Sequence, residues 1–191
     1  TTGQFFKKVA DLTGDKFDPK NVQPLLKHLG NAVKMLGATI SNTANPTMLE
    51  AGYKANVIPQ NASAVIDGRF LPGYENELHE TIKKLAGDEI EFEILTRDIA
   101  LESEFDGPLV EAMCKAINVE DSAGIPVPYL MSGGTDNKAL HDLGIVGYGF
   151  SPLRLPEDLD FFALFHGVDE RVPIDGLKFG VRVLYEFLEN V

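Results

Sequence analysis

The sequence predicts an α+β fold that passes into α/β: an antiparallel sheet with helices on one face, followed by an incomplete α/β portion. Three observations carry this. The hydrophobic period shifts from helical to two near residue 49. A β-β-α-β order then runs through residues 47–100, most of a split β-α-β sandwich. After Asp106-Gly107-Pro108, helices alternate with short, fully apolar segments, the pattern of strands covered on both faces.

The elements follow in order. Phe5, Phe6, Val9 and Leu12 make one helical stripe, and Leu25, Leu26, Leu29, Val33 and Leu36 a second. Gly14 and Asp18-Pro19 separate them, and Gly37 is placed to cap the second. Leu49 to Val57 and Ala62 to Phe70 alternate apolar and polar side chains, so each reads as a half-buried strand. Pro59-Gln60-Asn61 joins them as a hairpin. Pro72-Gly73 ends the second strand, and a helix follows with Leu78, Ile82 and Leu85 on one face. Ile90, Phe92 and Ile94 alternate with Glu91 and Glu93 as a third strand.

Beyond the boundary at 100–107, a helix over 109–118 leads to an apolar strand at 127–131. A short helix (136–143), a second apolar strand (145–150) and a long loop (151–172) come next. The final helix starts at Pro173, with Leu177, Val181, Leu184 and Leu188 on one stripe. Two such strands alone leave sheet edges unpaired, so another segment or chain is expected to complete that sheet.

Composition narrows the function. The net charge is −12 over 191 residues, without a basic cluster, which argues against a nucleic-acid groove or an anionic membrane surface. A small anionic ligand stays open, because one placed Arg binds a carboxylate even in an acidic protein. The one cysteine, Cys114, sits in an apolar helical stretch and reads as a small buried hydrophobe. One thiol excludes an internal disulfide framework. With no apolar run of about 20 residues and no signal peptide visible, a cytoplasmic fragment is expected.

Few residues carry chemistry on their own. His28, His79 and His141 fall on predicted helices among charged neighbours, where a solvated or capping role suffices. His166 lies in Phe165-His166-Gly167-Val168-Asp169-Glu170-Arg171 within the long loop, a place where sites occur. It reads either as a metal ligand or as a loop histidine; alone it cannot make a catalytic zinc site, which takes about three protein ligands. Ser132-Gly133-Gly134-Thr135-Asp136 between a strand and a helix is either an anion-holding turn or an ordinary helix start capped by Thr135 or Asp136. Asp67 and Arg69 share a strand face with Ser63. With Asn56 on the neighbouring strand, they read either as a carboxylate grip or as an exposed face with an ion pair.

Taken together, five segments resemble one family. In order they are Asn45–Gly52, Asn56–Pro59, Ile66–Gly73, Ser132–Asp136 and Phe165–Arg171. The chain is similar, over residues 43–191, to the co-catalytic zinc family of aminoacylases, glutamate carboxypeptidases, dipeptidases and succinyl-diaminopimelate desuccinylase. That resemblance implies a ferredoxin-like lid (1–104, incomplete at its start) and the C-terminal portion of a catalytic domain (105–191). It implies His166 as a zinc ligand, Asn56 and Arg69 as the clamp on a substrate carboxylate, and Gly134 and Thr135 as the loop that holds the substrate. It further implies a homodimer through the lid, and a small peptide or N-acyl amino acid as substrate. The family's remaining ligands (two zinc ions are bound in the whole enzyme) and its general base have no counterpart here. The chain alone is therefore expected to bind zinc weakly or not at all, and to be inactive. The alternative is a non-catalytic module for dimerisation or small-molecule binding.

Overall fold

Phe5, Phe6 and Ala10 fall on one face of helix α1 (Thr2–Thr13) and are buried. The Phe5 and Phe6 rings meet edge to face at 5.4 Å. Gly14 ends α1 in the left-handed region, at φ 73°, a conformation that costs a residue without Cβ little. The second predicted stripe is broken into α2 (Gln23–Leu26), a 3-10 turn (Gly30–Ala32) and α3 (Val33–Leu36). Only Leu25 and Leu36 of that stripe are fully buried. Gly37 is not a cap; it opens another 3-10 turn, Gly37–Thr39.

The computed structural model describes residues 1–191, and the chain divides into two compact units. One is Gly37–Leu101; the other joins Thr1–Leu36 to Glu102–Val191. The chain passes between the two units at Leu36/Gly37 and again at Leu101/Glu102, so residues 1–36 group with the C-terminal part.

The smaller unit holds β1 (Thr43–Ala51) and β2 (Ala62–Arg69), an antiparallel pair with Thr43 opposite Arg69 and Ala51 opposite Ala62. A bulge interrupts the register between Pro46 and Met48, where proline removes a ladder donor. The first strand thus starts and ends earlier than its sequence pattern suggests. Gly52 stops it at φ 74°, and residues 52–61, Asn56 among them, form the connection instead of continuing the strand. Helix α4 (Glu75–Ala86) follows the turn at Pro72-Gly73. Its buried Leu78 comes so close to Gly68 that a Cβ there would lie 3.2 Å from Leu78 Cδ2. Asn42 ties the unit's start to this turn, donating to Tyr74 O at 3.0 Å and accepting from Leu71 N at 2.9 Å.

The expected strand at 90–94 does not form. The segment runs beside α4: the Phe92 ring meets His79 edge-on, and Arg97 makes a two-point contact with Glu75 at 2.7 and 3.2 Å. Helix-side contacts have replaced a ladder. The sheet has only two strands, and Met48, Leu49 and Ile66 stay exposed on it; three strands or a packed face are usual for independent stability.

In the larger unit, α5 (Pro108–Glu120) packs on α7 (Ile174–Leu188). Gly107 at φ 86° and Pro108 set the start of α5, since proline at the first helical position loses nothing. Ala116, Phe179 and Val183 form the core, flanked by Ile117, Phe150 and Phe187. The final helix buries a different face from the predicted one: Gly176, Phe179, Gly180 and Val183 go inward. Leu177, Val181 and Leu188 stay 56%, 62% and 70% exposed. Two glycines a turn apart admit the backbone of residues 152–154 to the helix surface, so the core gathers there and the leucine stripe faces out.

A short helix α6 (Asn137–Asp142) forms as expected, but the apolar segments at 127–131 and 145–150 are not strands. Residues 147–148 are tied to 103–104 through side chains, Ser103 Oγ to Gly147 O at 3.3 Å and Tyr148 Oη to Glu104 O at 2.9 Å. Apolar runs of this kind become parallel strands only beside neighbours that complete their hydrogen bonding. No helix is long and apolar enough to cross a membrane.

The accessible surface is 14088 Å². Two separate compact domains of these sizes would expose about 11,000 Å².

Candidate functional site

His166 is the one non-glycine residue with positive φ, at 59°. A side chain costs about 1–2 kcal/mol in that region, and such strain gathers at functional positions. The segment around it explains how the conformation is held. Asp160 caps the 3-10 turn Phe161–Leu164 by accepting from Ala163 N at 3.3 Å. Gly167 N donates to Leu164 O at 2.9 Å, closing the turn. A Cβ on Gly167 would meet that same oxygen at 3.1 Å. The His166 backbone N–H donates to Glu170 Oε2 at 3.3 Å. The side chain itself is exposed.

Phe161, Phe162 and Phe165 stack edge to face just before His166, with centroids 5.2–5.9 Å apart. Asp160 also pairs with Lys34 Nζ, anchoring the turn to α3. In the sequence Asp160 reads only as part of the acidic loop 156–160, which could attract a cation but lacks calcium-loop spacing. An Asp directly before an apolar turn was the available signal for the cap; nothing local marks Lys34 as its partner.

The other predicted residues divide between the two units. In the smaller, Arg69 closes β2 and its Nε donates to Asp67 Oδ2 at 2.9 Å. This ion pair runs along one strand, as the two-residue spacing allows. Asn56 lies in the exposed connection. In the larger unit, Gly134 and Thr135 stand exposed ahead of α6, and Thr135 O accepts from Lys138 N at 3.2 Å. Asp136 occupies the helix N-cap without a side-chain cap bond.

Of the other histidines, His79 and His141 lie on α4 and α6. His28 pairs with Asp15, whose carboxyl is held below its ordinary 3.8 chiefly by that hydrogen bond. Cys114 is partly buried, and burial pushes its thiol up, away from reactivity.

No three His, Cys, Asp or Glu side chains gather as a metal group. The residues present therefore do not fit a complete zinc site. His166 supplies one imidazole, where catalytic zinc takes about three protein ligands.

Residues 8–91 match the family profile described as a peptidase dimerisation domain. The match spans β1, β2 and α4 and reaches back into α1. Human N-fatty-acyl-amino acid synthase/hydrolase PM20D1 is 27% identical over 186 residues, covering 91% of this chain and 35% of that protein. Its Mus musculus counterpart is 26% identical over 202 residues, covering 96% and 39%. The probable carboxypeptidase S-like 2 of Dictyostelium discoideum is 27% identical over 177 residues, covering 88% and 33%. The chain thus spans about a third of the length of these curated relatives. No solved structure matches it significantly. Residues 8–91 thus match the M20 peptidase dimerisation domain, and the curated relatives that the chain resembles are named as a synthase/hydrolase and a probable carboxypeptidase-like protein.

Proposed function

We propose that this chain is the lid and the C-terminal catalytic-domain portion of a zinc-dependent amide hydrolase. Its substrate would be a small peptide or an N-acyl amino acid with a free carboxylate. The supporting observation is the similarity to M20 hydrolases over 88–96% of the chain, which covers both the peptidase dimerisation domain and the His166 loop. The names of the relatives, a fatty-acyl-amino acid synthase/hydrolase and a carboxypeptidase-like protein, point to the same bond type, an amide next to a carboxylate.

In this reading residues 1–104 serve as the lid and 105–191 as the catalytic portion. Arg69 and Asn56 hold the substrate carboxylate by charge-assisted hydrogen bonds. Gly134 and Thr135 hold the substrate, and His166 contributes one metal ligand. With one ligand, the chain by itself is inactive. The surplus exposed surface, the unpaired apolar segments 127–131 and 145–150 and the open leucine stripe of α7 favour completion by further sequence. The dimerisation-domain match favours a homodimer through the smaller unit.

A second reading, a dimerisation module without catalysis, is favoured by the same domain match together with the lack of a gathered ligand set. Calorimetric titration with zinc, after removal of adventitious metal, separates the two when it is run on this chain and on any longer product of its gene. The hydrolase reading expects no binding tighter than about micromolar here and two tight ions in the longer product. Weak binding by both leaves the module. Two tight ions on this chain would overturn the assignment of an incomplete site.

A further inference from the structure

The turn that leads into His166 also forms one wall of a pocket. Residues 28–32 together with Leu155, Glu157, Leu159, Phe161 and Phe162 line a half-open hollow of about 440 Å³, within the usual range of about 300–1,000 Å³ for small-molecule sites. Leu29, Ala32, Leu155, Leu159, Phe161 and Phe162 make its apolar wall, and Gly30 and Asn31 add backbone and amide polarity. His28 and Glu157 are its titratable members, and His28 is already engaged by Asp15. No Lys or Arg lines it, and Glu157 would repel a carboxylate. The group that this lining favours is therefore neutral and apolar, since Glu157 repels an anion and no cation is there to pair with one.

The position of the pocket matters as much as its lining. Phe161 and Phe162 lie five and four residues before His166, and both rings touch Phe165, its immediate neighbour. The same turn is fixed at its start by Asp160 and at its end by the Gly167–Leu164 hydrogen bond. Pocket wall and His166 belong to one short, tied segment.

We propose that this pocket receives the apolar group of the substrate, either the acyl chain of an N-acyl amino acid or the aliphatic side chain of its amino acid part. The identity of the attached amide rests on the hydrolase reading above; the binding of an apolar group does not.

The test is an NMR titration of the labelled chain below the micelle concentration of each probe. One series is N-acetylglycine, N-butanoylglycine and N-octanoylglycine; the other is N-acetylalanine and N-acetylnorleucine. Signals of Ala32, Phe161 and Phe162 should shift, with affinity rising up to about fourfold per added methylene until the pocket is full. A rise in the first series marks the acyl chain as occupant, and a rise in the second marks the side chain. Ala32→Trp, which fills the pocket, should weaken binding at least tenfold, while Leu177→Ser on the exposed stripe of α7 should not.

Shifts spread over exposed apolar surface, or equal binding in Ala32→Trp, would overturn the proposal. The mapping on the unsubstituted chain stands even if Ala32→Trp misfolds. Pocket binding in a longer product that hydrolyses nothing would sink the hydrolase reading alone. Hydrolysis with unchanged chain-length preference in Ala32→Trp would sink the pocket alone.

Discussion

Gly180 sits so close to Pro152 that a Cβ on it would lie 2.4 Å from the Pro152 carbonyl oxygen. One turn earlier, a Cβ on Gly176 would lie 2.8 Å from Arg154 O. Both obstacles are backbone, so neither can swing aside. Gly180→Ala should therefore cost about 1–3 kcal/mol, the usual range for overpacking, despite the better helix propensity of alanine. Gly3→Ala in α1, with nothing within 4 Å of its Cβ, should be neutral or gain up to about 0.5 kcal/mol. Urea midpoints of the two variants check this; equal midpoints would remove the close approach of residues 152–154 to α7.

Acid should destabilise the fold through two carboxylates. Glu75 is held below its ordinary 4.5 by its hydrogen bond to Arg97. Asp15 is held below 3.8 by His28. A carboxyl with a lowered folded-state pKa adds stability above its unfolded value, and that stability is lost as pH falls through the lowered one. The urea midpoint should stay level from about pH 6 to 5, then drop below about pH 4. The drop should be small, because these groups are largely exposed, and smaller still in high salt. A midpoint unchanged down to about pH 3 would dismiss both pairs as contributors.

The elements most legible in the sequence were those set by local rules. The helix from Pro108 and the helix after Pro72-Gly73 formed where proline, glycine and a 3.6-residue stripe placed them. The pair β1–β2 formed too, although Gly52 and the bulge at Pro46 moved its first strand toward the N-terminus. What failed were strands whose partners lie elsewhere: Ile90–Ile94, and the runs 127–131 and 145–150. Alternation or apolarity says that a segment can enter a sheet, but a ladder needs a neighbour. The leucine stripe of α7 misled for a related reason. Leu177, Val181 and Leu188 form a regular apolar face, but the glycine face admits a closer neighbour. At the site, His166 was visible as a motif residue, whereas its left-handed backbone and the Lys34–Asp160 anchor depend on contacts distant in sequence.

Removing the anchor should loosen the His166 segment in two unequal steps. Asp160→Ala deletes the cap on Ala163 N and should cost about 1 kcal/mol, as helix-cap losses do. Lys34→Ala removes only an exposed ion pair and should cost less than about 0.5 kcal/mol. Amide exchange at Ala163 and Gly167 should speed up strongly in the first variant and slightly in the second. Equal protection of both amides in Asp160→Ala would show that the turn holds without its cap.

Arg69→Ala tests the carboxylate clamp in a catalytically complete product. If Arg69 binds the substrate carboxylate in ground and transition states alike, KM should rise roughly tenfold or more with kcat little changed. The within-strand partner Asp67 gives a control: Asp67→Asn leaves the guanidinium in place and should move KM far less. A KM unmoved by Arg69→Ala would reduce the pair to an exposed surface contact.

His166 allows stability and function to be separated, because its φ of 59° suits glycine better than any branched residue. His166→Gly relieves left-handed strain but adds chain entropy to the unfolded state, so stability should stay within about 1 kcal/mol. His166→Val places a β-branched side chain in the same region and should cost about 2 kcal/mol or more. In a catalytically complete product both variants lose the imidazole, so both should lose zinc and activity together. Loss of activity in the well-folded His166→Gly variant would tie function to the ring and not to the fold. Near-normal turnover in that variant would end the ligand assignment, and equal stability of the two variants would end the account of backbone strain.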